Sequence, residues 1–185
     1  FAEVREVFTR LRGGISTCSL LTSYRSSPEI TEIFAGLLPA EQRAKISSVQ
    51  RASEPVRVDC YGNDDEYAAA LREAVAHAKE NDDLTAIVVP WKHEAKRLRA
   101  FLGDAADGLV DMEAAAELPT NGAMIITLQL AKGLEFDHVI VPDASARVFP
   151  ANDRVAKNRL YTTVSRATRS VQILCRGDIT PLLKK

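Results

Sequence analysis

A doubly wound α/β domain with a mainly parallel sheet is the fold that this sequence predicts, on three observations. Short β-rich runs alternate with longer amphipathic stretches along the chain, the pattern of strands joined by helical crossovers. Three of the β-rich runs are near-continuous Val and Ile, as expected of strands that helices cover on both faces. With 185 residues, 46% of them hydrophobic and 26% charged, the chain can close one good core and is near the size of a single domain.

The opening FAEVREVFTRL reads as a helix. Because the chain begins inside it at Phe1, without an initiator methionine, an excised piece of a larger protein is expected, with residues 1–185 forming one domain of it. Strands are predicted at 19–23, 56–60, 85–89, 124–128, 138–142 and 171–175. The helix after the first strand carries Ile30, Ile33, Phe34, Leu37 and Leu38 on one face. Ser26, Pro28 and Glu29 supply its start through capping and a pre-set φ. Tyr67, Leu71, Val75 and Ala78 form a second apolar stripe and Trp91, Ala95, Leu98 and Leu102 a third, both at helical spacing and both core. A fourth helix is predicted over 152–168, with Ala156, Leu160, Val164 and Ala167 inward and Arg159, Thr163 and Arg166 along another face. The interval 103–122, rich in Ala, Asp and Glu, is a connection with one short helix around 113–117.

Charge is balanced, with 24 basic against 25 acidic residues and a pI near 6.4, so any contact with nucleic acid has to be local rather than a uniform basic field. Cys18, Cys60 and Cys175 are odd in number and far apart, which gives neither a disulfide framework nor a zinc spacing. The apolar runs fall short of the roughly 20 residues that span a bilayer, and no signal peptide opens the chain, so a reducing cytoplasmic setting is expected. His77, His93 and His138 have no metal-ligand partners at suitable spacing and receive no role.

Three strings carry the chemistry. Tyr24 and Arg25 follow the first strand, and in an open α/β sheet ligands gather beyond the carboxyl ends of strands. The ring can stack on a base and the guanidinium can reach a phosphate as a planar fork of donors. The same two residues also fit a structural role, with the ring packed on the sheet edge and the arginine paired with a surface carboxylate. In the second string, TLQLAKGLEFD, Gly133 allows close backbone approach, Glu135 can accept from both hydroxyls of a ribose, and Thr127 and Lys132 can hold a nucleic-acid phosphate. A tight turn anchored by Leu134 and Phe136 fits that string as well. The third, LYTTVSRA, puts Arg166 near a helix end, either as a cap on the negative helix terminus or as an arginine finger on a γ-phosphate. No GxxxxGK[ST] occurs anywhere and no apolar strand ends in a paired Asp-Glu, so this chain should not hydrolyse ATP alone.

In order, and over nearly the whole chain, these strings resemble the second RecA-like motor domain of UvrD, Rep and PcrA-type superfamily 1 helicases. YRSSPEI is similar to motif IV of that family, TAIVVPWKHEAKRLRAFL to motif IVa, TLQLAKGLEFDHVIVP to motif V and LYTTVSRA to motif VI. The resemblance implies a RecA-like sheet of the P-loop NTPase type. It implies that Tyr24 stacks near the adenine of ATP, that Arg25 and Arg166 contact the γ-phosphate and that Glu135 holds the ribose. It places Thr127, Lys132 and the residue at Gln129 beside single-stranded DNA. ATP with Mg²⁺ would sit between this domain and a preceding RecA-like domain carrying the Walker motifs, whose closure ratchets the strand. Two departures stand out: Gln129 replaces the histidine of the relatives, and only about twenty residues lie where they carry an inserted subdomain. The compact form is similar to HelD-type proteins, helicase-like ATPases acting on bacterial RNA polymerase, or to RecD-like proteins. An ATP-switched polymerase-recycling factor is therefore the alternative to a DNA translocase.

Overall fold

The structure, a computed structural model, describes residues 2–13, 15–16, 22–80, 82–115 and 117–184. Its elements run α1 (Ala2–Arg12), β1 (Thr22–Ser23), α2 (Pro28–Gly36), α3 (Ala40–Arg43), β2 (Ser47–Ser48), β3 (Arg57–Tyr61), α4 (Asp64–Glu80), β4 (Leu84–Val89), α5 (Lys92–Leu102), β5 (Val110–Asp111), β6 (Gly122–Thr127), α6 (Leu128–Ala131), β7 (Phe136–Val141), α7 (Arg154–Val164) and β8 (Ala167–Arg176). Among the described residues β3 to β8 form one sheet in the order β3-β8-β7-β4-β6-β5, every pairing parallel, as the sequence predicts.

Helices cover both faces because each strand alternates its side chains between two cores. Ala86 and Val88 of β4, with Met124 and Ile126 of β6, pack toward α2 and α7, where Ile30, Phe34, Leu160 and Val164 are buried. Ile87 and Val89, with Ile125, Ile140 and Leu174, pack toward α4 and α5, where Tyr67, Leu71, Val75, Leu98 and Leu102 close the second core. Central strands buried on both faces require the unbroken Val/Ile runs that the sequence displays.

Several boundaries differ from expectation, each for a local reason. Ser27, not Ser26, caps α2, accepting from the Ile30 amide. Ser26 is instead buried and donates to the Ala167 carbonyl at 2.8 Å. Trp91 lies outside the α5 stripe, at the N-cap position, with the Arg159 guanidinium 4.7 Å from its ring centroid. Where a helix is predicted at 113–117, the amides of Ala114 and Ala115 fold back on the Asp111 carbonyl in a turn, and residue 116 lies outside the described residues. The expected strand 124–128 ends at Thr127 because Leu128 already opens α6. Helix α7 stops at Val164: the following TRSVQIL favours extended backbone, and the Arg166 carbonyl already accepts from the Phe136 amide of β7. Thr163, expected on an outer face, is buried. Of the expected strand 19–23, residues 19–21 lie outside the described residues, as does Cys18. Thr22 and Ser23 pair with β2 in a separate two-stranded ribbon rather than with the main sheet. His138 lies within β7 rather than at its start, and bridges Ser170 and Asp83.

Candidate nucleotide and nucleic-acid site

The eight residues singled out by the sequence fall on opposite edges of the sheet. Thr127 ends β6, so it stands at the carboxyl edge. Glu135 immediately precedes β7 and Arg166 immediately precedes β8, so both stand at the amino edge. The intervening residues 128–135 make one turn of helix, α6, and then run back down the sheet. Gly133 makes the reversal, with φ of +92°, a left-handed value that side chains disfavour. No atom lies within 4 Å of where its Cβ would be, so the turn and not a close approach demands glycine there.

At the amino edge, Thr22 to Ser26, Phe34, Ile46, Glu135, Tyr161, Ser165 and Arg166 line one cleft of about 520 Å³. Tyr24, Arg25, Glu135 and Arg166 therefore converge, while Gly133 is not part of the lining. The loop bearing Tyr24 and Arg25 is tied down by Ser26, whose hydroxyl donates to Ala167 and whose carbonyl accepts from the Ser48 hydroxyl at 2.7 Å. Phe34 of α2 meets Tyr161 of α7 edge-on, with centroids 5.4 Å apart, and closes the floor. From the sequence Ser26 reads as a helix start and Phe34 as core, not as parts of a site; a serine capping a helix and a serine tying a loop to a distant strand look the same there.

Electrostatically the cleft has more positive than negative charge. The Arg25 Nη2 lies 2.5 Å from Glu135 Oε1, so one guanidinium is neutralised within the cleft. Arg166 is half-buried and donates from Nε to the Thr162 carbonyl (3.1 Å), from Nη1 to the Leu134 carbonyl (3.1 Å) and from Nη2 to Ser165 Oγ (3.3 Å). Its pKa is lowered first by burial and then by the charge of Arg25, with Glu135 opposing. Two guanidiniums that disfavour one another, with one carboxylate between them, are a site that an anion would stabilise.

The carboxyl edge is different. Thr127 is only 4% exposed, and its hydroxyl donates to Glu113 Oε1 at 2.7 Å. The other carboxylate oxygen, Oε2, is 3.0 Å from Lys92 Nζ. The Glu113 carboxyl is held below the usual range first by the Thr127 hydroxyl and then by Lys92. Gln129, on α6, and Lys132, just after it, are exposed. Among the described residues no group of three or more His, Cys, Asp or Glu is arranged to hold a metal ion, and no helix is long and apolar enough to cross a membrane.

The segment from β6 to β8 that builds both edges is also where a known family matches: residues 122–174 fit the model of the UvrD-like helicase C-terminal domain. Over that segment the chain is similar to the UvrD-like helicase C-terminal domain. Its fold agrees with that of the C-terminal domain of a possible DNA helicase from Lactobacillus plantarum WCFS1, at 26% identity and a TM-score of 0.70, covering 88% of this chain and 92% of that one. The PRRSV helicase, at 14% identity and a TM-score of 0.40, covers 85% of this chain, which spans 23% of that one. PRRSV nsp10 (helicase) gives 14% and 0.36 over 83% and 23%; at those levels neither bears on the site. No curated protein matches. The matched residues include Thr127, Gln129, Lys132, Gly133, Glu135 and Arg166, whereas Tyr24 and Arg25 lie before the matched segment.

Proposed function

We propose that this chain is the distal motor half of an ATP-dependent DNA helicase or translocase, completing an ATP site whose Walker motifs and Mg²⁺ ligands belong to a preceding RecA-like domain. The observation that carries the reading is the meeting of Arg25, Glu135 and Arg166, from three separate motifs, in one open polar cleft that offers two guanidiniums to an anion and whose one carboxylate, Glu135, is paired with Arg25. In the complete site Tyr24, 73% exposed at the cleft, stacks on the adenine. Glu135 leaves Arg25 and accepts from the ribose hydroxyls. Arg25 and Arg166 neutralise the charge that develops on the γ-phosphate.

The amino-edge location fits a lent site. The carboxyl-edge rule concerns ligands that a sheet binds for itself, whereas arginines supplied to a neighbour's nucleotide need only face that neighbour. Helix α1 fits the same picture, since Val4, Val7, Phe8 and Leu11 form a helical stripe that is 50 to 72% exposed and suits cover by another domain. Single-stranded DNA would run over the opposite, carboxyl edge along Thr127, Gln129 and Lys132.

Hydrolysis of ATP by the full-length protein, measured with and without single-stranded DNA, tests the reading. Strong stimulation by the strand is the expected result. Hydrolysis that ignores strands but responds to RNA polymerase would replace the translocase with a polymerase-recycling factor.

A further inference from the structure

We propose that Glu113 is a built-in substitute for a strand phosphate, filling a phosphodiester position whose ligands are Thr127 Oγ1 and Lys92 Nζ until single-stranded nucleic acid displaces it. The inference rests on the reading of the carboxyl edge as the strand path, and it adds both a ligand, Lys92, and a competitor, Glu113, to that path.

The geometry is that of an anion clamp. One carboxylate oxygen takes a hydroxyl at 2.7 Å and the other an ammonium at 3.0 Å, the donor types through which proteins hold backbone phosphates. The two donors come from adjacent strands: Thr127 ends β6, in register with Val89 at the end of β4, and Lys92 follows three residues later. They thus meet beyond the carboxyl ends of neighbouring parallel strands, where an open sheet collects ligands. The Thr127 hydroxyl is buried under its contact with Glu113, so no phosphate reaches it while the carboxylate stays. Lys92 is 66% exposed, and beside it Trp91 carries the Arg159 guanidinium on its ring, so the approach is cationic and aromatic.

Glu113 is also mounted so that it can leave. It sits on a turn held by the Glu113 amide on Asp111 Oδ1 and by the Met112 amide on the Ile125 carbonyl, beyond a strand of two residues at the sheet edge. A carboxylate and a phosphate cannot share the same two donors. Strand binding therefore expels an ionised group, and the cation taken up by the freed Glu113 offsets the one released where Lys92 meets the phosphate.

The test is the affinity of the full-length protein for a single-stranded oligonucleotide across a salt series. Glu113→Gln keeps the side-chain shape and removes the charge. It is expected to tighten binding about threefold to tenfold at low salt, and to steepen the log-log salt dependence by about 0.7, one phosphate's worth for a single strand. Adding Lys92→Ala to that variant returns the slope to the wild-type value. Glu113→Ala carries the same expectation should the amide variant fold poorly. Unchanged or weaker binding by both Glu113 variants, with wild-type binding intact and weakened by Lys132→Ala, overturns the role of Glu113 alone. Absence of strand binding in the wild type overturns the strand path and this inference with it.

Discussion

Replacing Glu135 with Gln separates two jobs that the cleft gives to one carboxylate. Glu135 neutralises Arg25 at 2.5 Å, but the two side chains are 49% and 39% exposed. A pair as wet as this contributes about 0.2 to 1 kcal/mol, so the melting temperature of a chain this size should fall by no more than about 4 °C. The same amount is what a phosphate must overcome to claim Arg25. Its removal should raise affinity for tripolyphosphate about 1.4-fold to 5-fold. Arg166, whose charge is already disfavoured by burial and by Arg25, adds to that gain once Glu135 no longer opposes them. ATP should behave oppositely, because an amide presents one acceptor oxygen to the ribose hydroxyls where the carboxylate presented two. Calorimetric titration of wild-type and Glu135→Gln full-length protein with both ligands measures this. Tripolyphosphate binding that rises while the preference for ATP over it falls is the expected pair of results. A loss of affinity for both ligands in parallel, or a melting temperature lowered by ten degrees or more, would refute the division of labour.

Two further outcomes follow from the contacts around the cleft and the clamp. Ser26→Ala removes the hydroxyl that ties the Arg25 loop to the buried Ala167 carbonyl, and should cost about 1 to 3 kcal/mol in denaturant unfolding. It should also weaken ATP binding, since Arg25 loses its anchor. Glu113, held low by Thr127 and then Lys92, and Asp83, held low first by the His138 hydrogen bond and then by Arg169, both have native pKa values below their unfolded ones. Their contribution is present above about pH 4 and is lost as pH falls through the depressed values. The acid limb of a stability-against-pH curve should therefore be shallower in Glu113→Gln than in the wild type.

Much of this was legible in the residues. Short β-rich runs located five strands of the main sheet, most plainly the central Val/Ile runs such as β4 and β6 that are buried on both faces, and the 3.6-residue stripes located α2, α4, α5 and α7. What could not be read was set by partners distant in sequence. β5 is two residues of Val and Asp that become a strand only by pairing with Met124 and Ile125. Helix α7 ends at Val164 because β7 claims the Arg166 carbonyl from thirty residues away, which no helical periodicity reports. The site was legible as motifs but not as an arrangement. The spacing of Thr127 and Glu135 gives no sign that eight residues carry the chain from one edge of the sheet to the other. Nor did the Ala-, Asp- and Glu-rich connection announce that one of its acids, Glu113, reaches Thr127 across fourteen residues of sequence.

The central claim is that Arg166 belongs to the chemistry of a nucleotide held mainly by another domain. Single-turnover ATP hydrolysis by the full-length protein in the presence of single-stranded DNA, wild type against Arg166→Ala, with nucleotide affinity measured in parallel, tests it most directly. A loss of hydrolysis of about a hundredfold or more, with ATP still bound, is expected. Hydrolysis undiminished in Arg166→Ala would contradict it, leaving Arg166 as a cap on the carbonyls of Thr162 and Leu134.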